Sequence, residues 1–302
     1  MAQAHRAILI GNGPNRLIES DRHSWDQLMI ELCSTFGVTP PQKGDNDLKP
    51  FPIFYEEVVQ AAVSSGGTEG DVRKSVAEFA SEISPNTVHQ SLMNLPFQAV
   101  LTTNYDLALE RSILGDGSAE LRNEAPIQET KHSLFRRLEV NGRSVWHLHG
   151  DCRQPGTIAL GFDHYSGYLQ QVRTYLLQGI KYSRHDVPAL RERLERGRVE
   201  LISWVDLLFT NTVEMVGIGL SFAETHLWWL ITYRARLQAI SGIPVPGELV
   251  YHCMPPKEDD RRSIGRLDAL RSQGVRVRCH GTDPDDHQEF YRILLNRLER
   301  SF

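Results

Sequence analysis

The sequence lacks the features that mark disulfide-rich, zinc-ribbon and membrane proteins. Its four cysteines are far apart and include no Cys-x-x-C pair, so neither a structural zinc knuckle nor a dense disulfide framework is expected. The most apolar region, residues 201–222, is interrupted by Asp206, Asn211 and Glu214, whereas a membrane span needs about 18 apolar residues in a row. The apolar stretch at residues 7–11 is too short for a signal-peptide core. We therefore expect a cytoplasmic protein that does not enter a membrane.

The chain also lacks an excess of positive charge. Lys and Arg together number 33, Asp and Glu 38, and the net charge of −5 provides no general attraction to nucleic acid or to anionic lipid. Two arginine-rich stretches, residues 191–198 and 261–278, also contain acidic side chains, which is more typical of solvated helix faces or a protein interface. With 40% hydrophobic residues, the 302-residue chain has the composition of a folded globular protein. Its length permits two modest domains or one large α/β domain.

Short apolar runs alternate with amphipathic segments along the chain. Residues 7–10 read as a buried parallel strand that stops at Gly11, and a helix follows with Ser24 as its N-cap and Gly37 as its end. Further strands are predicted at about residues 99–103, 145–148, 157–160, 213–219, 248–254 and 275–279, and further helices at about 224–239, 260–272 and 284–300. Helical periodicity without strands marks two blocks, at about residues 52–95 and 163–209. The pattern predicts an α/β fold, a Rossmann-like parallel sheet with helices on both faces and helical insertions.

Unusual residues stand at four predicted strand ends, where ligands bind in sheets of this kind. The glycines of residues 11–16 would let backbone N–H groups approach a phosphate, although they also suit an ordinary turn between strand and helix. Residues 102–106 include Asn104 and Asp106, which are also common helix caps. Residues 217–221 repeat the glycine turn at a later strand.

The fourth strand end, His-Leu-His-Gly-Asp, admits three interpretations. His147 and His149 share one face of a strand, so with Asp151 they could bind a metal. The H-x-H-x-D-H pattern of metal hydrolases would need a histidine where the chain has Cys152. Either histidine could instead act as a general base, or be a hydrogen-bonded histidine of the core.

Taken in order, the four motifs resemble the sirtuin family over about residues 5–280. Gly-Asn-Gly at residues 11–13 stands where that family has Gly-Ala-Gly, and Thr-Asn-Tyr-Asp at residues 103–106 stands where it has Gln-Asn-Ile-Asp. Leu-His-Gly at residues 148–150 corresponds to its catalytic His-Gly, and residues 217–221 are similar to its Gly-x-Ser loop. The resemblance implies one NAD-binding catalytic domain over residues 1–302, with the two helical blocks as insertions.

One departure from the sirtuin pattern changes the implied activity. Deacylating sirtuins carry a four-cysteine zinc ribbon, and this sequence has no such spacing. The chain instead resembles the bacterial sirtuin-like effectors that hydrolyse NAD+ during anti-phage defence. NAD+ is then a substrate and no metal is expected. The alternatives are a non-catalytic sensor of NAD or ADP-ribose, a zinc-free deacylase and the metal hydrolase described above.

The resemblance also implies roles for individual residues. Asn104 would orient water and ribose hydroxyls, His149 would act as a general base, and Asp106 would bind the nicotinamide carboxamide or support the developing cation. The residues implied in holding the rest of NAD+ are Gly11, Asn12, Gly13, Asn15, Arg16, Thr103, Gly217, Gly219 and Ser221. Because the chain leaves little room for a large sensing domain, we expect a regulatory partner subunit, a homo-oligomer or both, without direct nucleic-acid binding.

Overall fold

A computed structural model describes residues 5–17, 24–40, 50–127, 129, 131–182 and 185–302. Nine strands lie in these residues: β1 (Arg6–Ile10), β2 (Ala99–Thr102), β3 (Leu138–Val140), β4 (Arg143–His147), β5 (Ile180–Tyr182), β6 (His185–Val187), β7 (Thr212–Val216), β8 (Leu249–Cys253) and β9 (Arg276–Cys279). The α-helices are α1 (Trp25–Phe36), α2 (Phe51–Ser64), α3 (Glu69–Ser81), α4 (Thr87–Asn94), α5 (Ala108–Leu114), α6 (Phe162–Leu177), α7 (Leu190–Glu195), α8 (Trp204–Thr210), α9 (Thr225–Arg236), α10 (Arg261–Ser272) and α11 (His287–Glu299).

Seven of these strands form one sheet in the order β3-β4-β2-β1-β7-β8-β9. All neighbours are parallel except β3 and β4. Strand β1 lies at the centre because residues 7–10 are apolar on both faces. Ala7 and Leu9 enter the core on one face, and Ile8 and Ile10 enter the core on the other. The chain leaves β1 towards β2 on one side and returns to pair β7 on the other, so the strand order reverses at β1.

Helices cover both faces of the sheet, which confirms the predicted Rossmann-like α/β fold. One core includes buried side chains of α6 to α10, and the opposite core includes those of α4, α5 and α11. A third apolar cluster is formed mainly by α1, α2 and α3. The predicted cap is present, since Ser24 Oγ accepts the N–H of Gln27 at 3.1 Å and Gly37 ends α1 with φ of 70°. No helix in the described segments has the length and apolar content needed to cross a membrane.

The structure differs from the sequence prediction in three places. Strand β3 was not predicted, although Asn141 and Gly142, both with positive φ, form the two-residue turn that joins it to β4. The block at residues 163–209 contains the antiparallel hairpin of β5 and β6 besides its helices, and its residues 183 and 184 lie outside the described residues. The strand predicted at residues 157–160 is wrong: this segment is apolar because Ile158 and Leu160 pack into the helical cluster.

Candidate active site

A cleft of about 660 Å³ lies at the carboxyl ends of the central strands. Clefts of this size commonly hold small molecules and cofactors. It follows the order reversal at β1, where this fold class binds ligands. The predicted site residues that line it are Asn12, Gly13, Arg16, Thr103, His149, Gly217, Gly219 and Ser221. The predicted residues that do not line it are Gly11, Asn15, Asn104 and Asp106.

The two glycine turns pack against each other at the base of the cleft. The N–H of Gly11 donates to Val216 O, and the N–H of Gly13 donates to Gly217 O, both at 2.9 Å. A Cβ atom on Gly11 would lie 2.6 Å from Gly217 O. Gly11 is therefore needed for the close approach of two backbones. A Cβ on Gly219 would meet nothing within 4 Å, so this glycine faces open space.

His149 is buried beside the cleft, and its imidazole contacts a second histidine. The Nε2 atoms of His149 and His226 are 2.9 Å apart, and the backbone of Thr103 also hydrogen-bonds the His149 ring. Burial lowers the pKa of His149 to about 4. The imidazole is thus neutral near pH 7 and is able to accept a proton.

Asn104 lies next to a second, much smaller cavity. Its Nδ2 donates to Gly11 O at 3.2 Å, and its Oδ1 is buried without a hydrogen-bond partner among the described residues. The small cavity has a volume of about 20 Å³, enough for one water molecule. It shares Asn12, Ser24 and Trp25 with the main cleft. Asn104 is therefore placed to orient a water at the cleft edge.

Asp106 and Asn15 form a buried network beneath the cleft. Asn15 Nδ2 donates to Asp106 Oδ2 at 2.9 Å and to Asn12 Oδ1 at 2.7 Å, while Asp106 Oδ1 accepts the N–H of Ala108 at 2.9 Å. Burial raises the pKa of Asp106. Asp106 touches only the small cavity, and Asn15 lines neither cavity. These two residues are arranged to support Asn12 and the start of α5.

The three residues of the metal-hydrolase alternative point to different partners. His147 hydrogen-bonds Asn104 O at 2.9 Å and Glu110 Oε1 at 2.7 Å, away from the His149–His226 contact. Asp151 accepts from Arg136 Nε at 3.0 Å. Within the described residues, no three His, Cys, Asp or Glu side chains converge to hold a metal. The shared face expected for His147 and His149 is wrong because β4 ends at His147 and the chain then turns.

The turn at residues 217–221 is held in shape by the residues that lead into α9. Glu224 Oε2 accepts the N–H of Ser221 at 2.8 Å, and Trp228 Nε1 donates to Ser221 O at 3.1 Å. Burial raises the pKa of Glu224 to about 7. Glu224 also lines the cleft, so its wall contains a carboxyl group that titrates near neutral pH.

Several cleft residues were not predicted as site residues. Glu224, Tyr165 and Arg266 line the cleft, and His226 contacts His149 from behind. They come from α6, α10 and the segment that opens α9, far in sequence from the strand-end motifs. The signal that could have found His226 is its position five residues after the end of the 217–221 motif, on the first turn of the helix that follows.

Comparison with known proteins points to one family. The model of the SIR2-like domain matches residues 98–274, more than half of the chain. The curated NAD(+) hydrolase ThsA of Bacillus cereus (strain MSX-D12) is 24% identical over 154 residues, which cover 51% of this chain and 30% of that protein. The NAD(+) hydrolase ThsA of Enterococcus faecium is 23% identical over 146 residues, covering 48% and 28%. The chain thus matches less than a third of the length of either relative. The matched family confirms the resemblance to sirtuins: this chain belongs to the SIR2-like domain family.

Proposed function

We propose that this chain is an NAD+ hydrolase that cleaves the nicotinamide–ribose bond to give nicotinamide and ADP-ribose. The observation that carries the proposal is His149, a neutral imidazole on the wall of a cleft whose base is made of two glycine turns. The two curated relatives, both NAD(+) hydrolases by name, support it. Both matches cover enough of the chain to make NAD+ the first substrate to test.

The chemistry of the proposed reaction sets two requirements. Breaking the nicotinamide–ribose bond passes through an oxocarbenium-like transition state, so the ribose must be held and a nucleophilic water must be placed. Asn104 Oδ1 would orient that water from the small cavity. His149 would take a proton from the water or from a ribose hydroxyl, since its imidazole is neutral at pH 7.

The remaining cleft residues would hold the rest of the dinucleotide. Gly219 leaves open space next to its backbone, and the Ser221 hydroxyl stands at the same turn. Backbone N–H groups at such turns, next to a helix start, favour phosphate oxygens. Arg16 and Thr103 also line the cleft and would contact the phosphates or the ribose. Asp106 lies beneath the main cleft. Its position therefore favours a role in holding Asn15 and the start of α5 over direct contact with nicotinamide.

The test is release of nicotinamide from NAD+ by the purified chain and by two single variants. His149→Ala and Asn104→Ala should each lower the rate on the order of 10²-fold, because general-base catalysis and water placement contribute about that much. Ser272→Ala, at the exposed end of α10, is the matched control and should leave the rate unchanged. Circular dichroism checks that every variant is folded. Undiminished nicotinamide release by folded His149→Ala would rule out the mechanism.

Nicotinamide release together with a binding measurement separates the alternatives. A sensor of NAD or ADP-ribose would bind the dinucleotide in a calorimeter and release no nicotinamide. A zinc-free deacylase would release nicotinamide only when an acylated lysine peptide is added. We further propose that the chain acts in anti-phage defence in the cytoplasm and works with a regulatory partner, with further copies of itself, or with both.

A further inference from the structure

His226 is a buried histidine with no role in the mechanism above, yet its imidazole makes a close polar contact with the imidazole of His149. It lies on the first turn of α9, fully buried, with its Nε2 atom 2.9 Å from His149 Nε2. It is absent from the cleft lining, whereas Thr103, the other partner of the His149 ring, lines the cleft. His226 contacts Nε2 of His149 from outside the cleft lining, so Nδ1 is the ring nitrogen left for the cleft that His149 lines.

Aromatic rings hold His226 in place. Its ring is stacked on that of Tyr165 at 5.4 Å between centroids, with 19° between planes, and the ring of Tyr168 lies 5.2 Å away. The Tyr168 hydroxyl in turn donates to Leu148 O, next to His149 in the chain. This arrangement leaves His226 little freedom to turn away from His149.

A short contact between two imidazole nitrogens requires one proton between them. One ring must donate and the other must accept, so each ring fixes the tautomer of its neighbour. Within the described residues, no carboxylate hydrogen-bonds either ring. The titratable groups packed on the pair are the hydroxyls of Tyr165 and Tyr168, and burial raises the pKa of both, which keeps them neutral. The Thr103 backbone favours the protonated form of the His149 ring, so it accepts from the ring once Nδ1 has taken a proton.

We propose that His226 is a positioning residue for His149, and that it accepts the Nε2–H of His149 so that Nδ1, on the cleft side, receives the proton. This inference rests on the proposed hydrolase activity. The O–H bond of a ribose hydroxyl or of water breaks as the Nδ1–H bond forms, and the imidazolium keeps its Nε2–H on His226. The proton then passes to solvent, so hydrolysis yields nicotinamide, ADP-ribose and one proton.

The experiment compares two substitutions at position 226 in the full chain. His226→Gln keeps an acceptor oxygen on a side chain of similar length, whereas His226→Phe keeps the aromatic packing and removes the acceptor. His226→Phe should lower kcat about tenfold or more with little change in KM, as loss of base orientation predicts, and His226→Gln should retain most of the activity. The acid limb of the pH profile should move to lower pH in His226→Phe, because the imidazolium of His149 has lost its acceptor. His89→Gln is the control: His89 is also a buried histidine whose pKa is lowered to about 4, but it lies on α4 away from the cleft.

Two results would overturn the proposal. One is wild-type kcat and pH profile in folded His226→Phe, and the other is equal loss in the Phe and Gln variants with both folded. Nitrogen-15 NMR of histidine-labelled protein provides a readout that does not depend on turnover. The proposal predicts that the His149 Nε2 resonance shifts in His226→Phe and stays near its wild-type position in His226→Gln and His89→Gln. If the wild-type protein released no nicotinamide, the hydrolase proposal would fail while this spectrum would still test the histidine pair.

Discussion

Gly11 and Gly219 lack a side chain for different physical reasons, although both stand in glycine turns at the cleft. Gly11 sits where the turn after β1 crosses the turn after β7, with Gly217 O and Ile218 Cα both 2.6 Å from where its Cβ would be. Gly219 has no atom within 4 Å of that place. Gly11 is therefore required for backbone packing, whereas the space beside Gly219 is open to a ligand.

Alanine at each of the two positions should separate these effects. Gly11→Ala forces backbone apart in a packed region and should lower the free energy of unfolding by about 1 to 3 kcal/mol. Gly219→Ala should leave stability unchanged and raise the KM for NAD+, because a methyl group would occupy space next to the turn. Urea unfolding followed by fluorescence measures the first effect, and nicotinamide release at varied NAD+ measures the second. Equal stability of the two variants would contradict this account of Gly11.

At the level of single residues, the sequence pointed to His149, the base of the proposed mechanism, and missed His226, which contacts it. His149 could be found because it follows a strand and precedes a glycine, and Gly150 indeed adopts φ of 86° against Thr157. His226 is 77 residues further along, and the two histidines meet only through the tertiary fold, which places the first turn of α9 against the end of β4. Asp106 stands in the motif, but hydrogen bonds to Asn15, 91 residues away in the chain, and to Ala108 hold it beneath the cleft.

The segment before α9 combines a glycine turn with a carboxyl group that titrates near neutral pH. Glu224 hydrogen-bonds the Ser221 N–H, and burial raises its pKa from about 4.5 to about 7. The unfolded chain loses this proton near pH 4.5 and the folded protein near pH 7. Between these values the folded state binds more protons, so the contribution of Glu224 to stability falls as pH rises.

Glu224→Gln should remove this pH dependence. The glutamine Oε1 can still accept the Ser221 N–H, and the side chain no longer needs to be charged inside the cleft wall. The loss of unfolding free energy between pH 5 and pH 8 should be about 1 to 3 kcal/mol smaller than in the wild-type protein. Denaturant melts at several pH values measure it, with exposed Glu258→Gln as the control. A Glu224→Gln curve parallel to the wild-type curve would show that Glu224 does not titrate in this range.

At the level of elements, periodicity predicted the central strands, and the misses have local causes. The Asn141-Gly142 turn is a hairpin signal that the short strands around it obscured.

Cys253 and Cys279 illustrate a contact that cannot be predicted from the sequence alone. They are 26 residues apart in the chain, yet the parallel register of β8 and β9 puts their Sγ atoms 3.5 Å apart. Strand order decides such neighbours, and no single-sequence pattern encodes strand order.

For the whole molecule, the cleft lies where the sheet meets the helical cluster of α1 to α3. Trp25 lines the cleft, and its ring contacts those of Phe51 and Tyr105 at 5.4 and 5.5 Å between centroids. The helical cluster has its own apolar core, and Ile30 and Ile53 on α1 and α2 are 45% and 41% exposed. A partner or a second copy that bound these helices would act directly on one wall of the cleft.

The last prediction concerns control of the proposed activity. An unrestrained NAD+ hydrolase would deplete its own host, so the chain expressed alone should be nearly silent, and its site should become competent through a partner, a nucleotide signal or assembly. Each 1.4 kcal/mol of coupling between silent and competent states changes activity about tenfold, so strong silencing needs several times this coupling free energy.

The measurement is cellular NAD+ over time in cells that express the chain alone or with its genetic neighbours, with and without phage. Cells that express His149→Ala are the inactive control. We expect rapid loss of NAD+ only in infected cells that carry the complete set of genes. Equally rapid loss from the chain alone in uninfected cells would show that no partner and no signal is required.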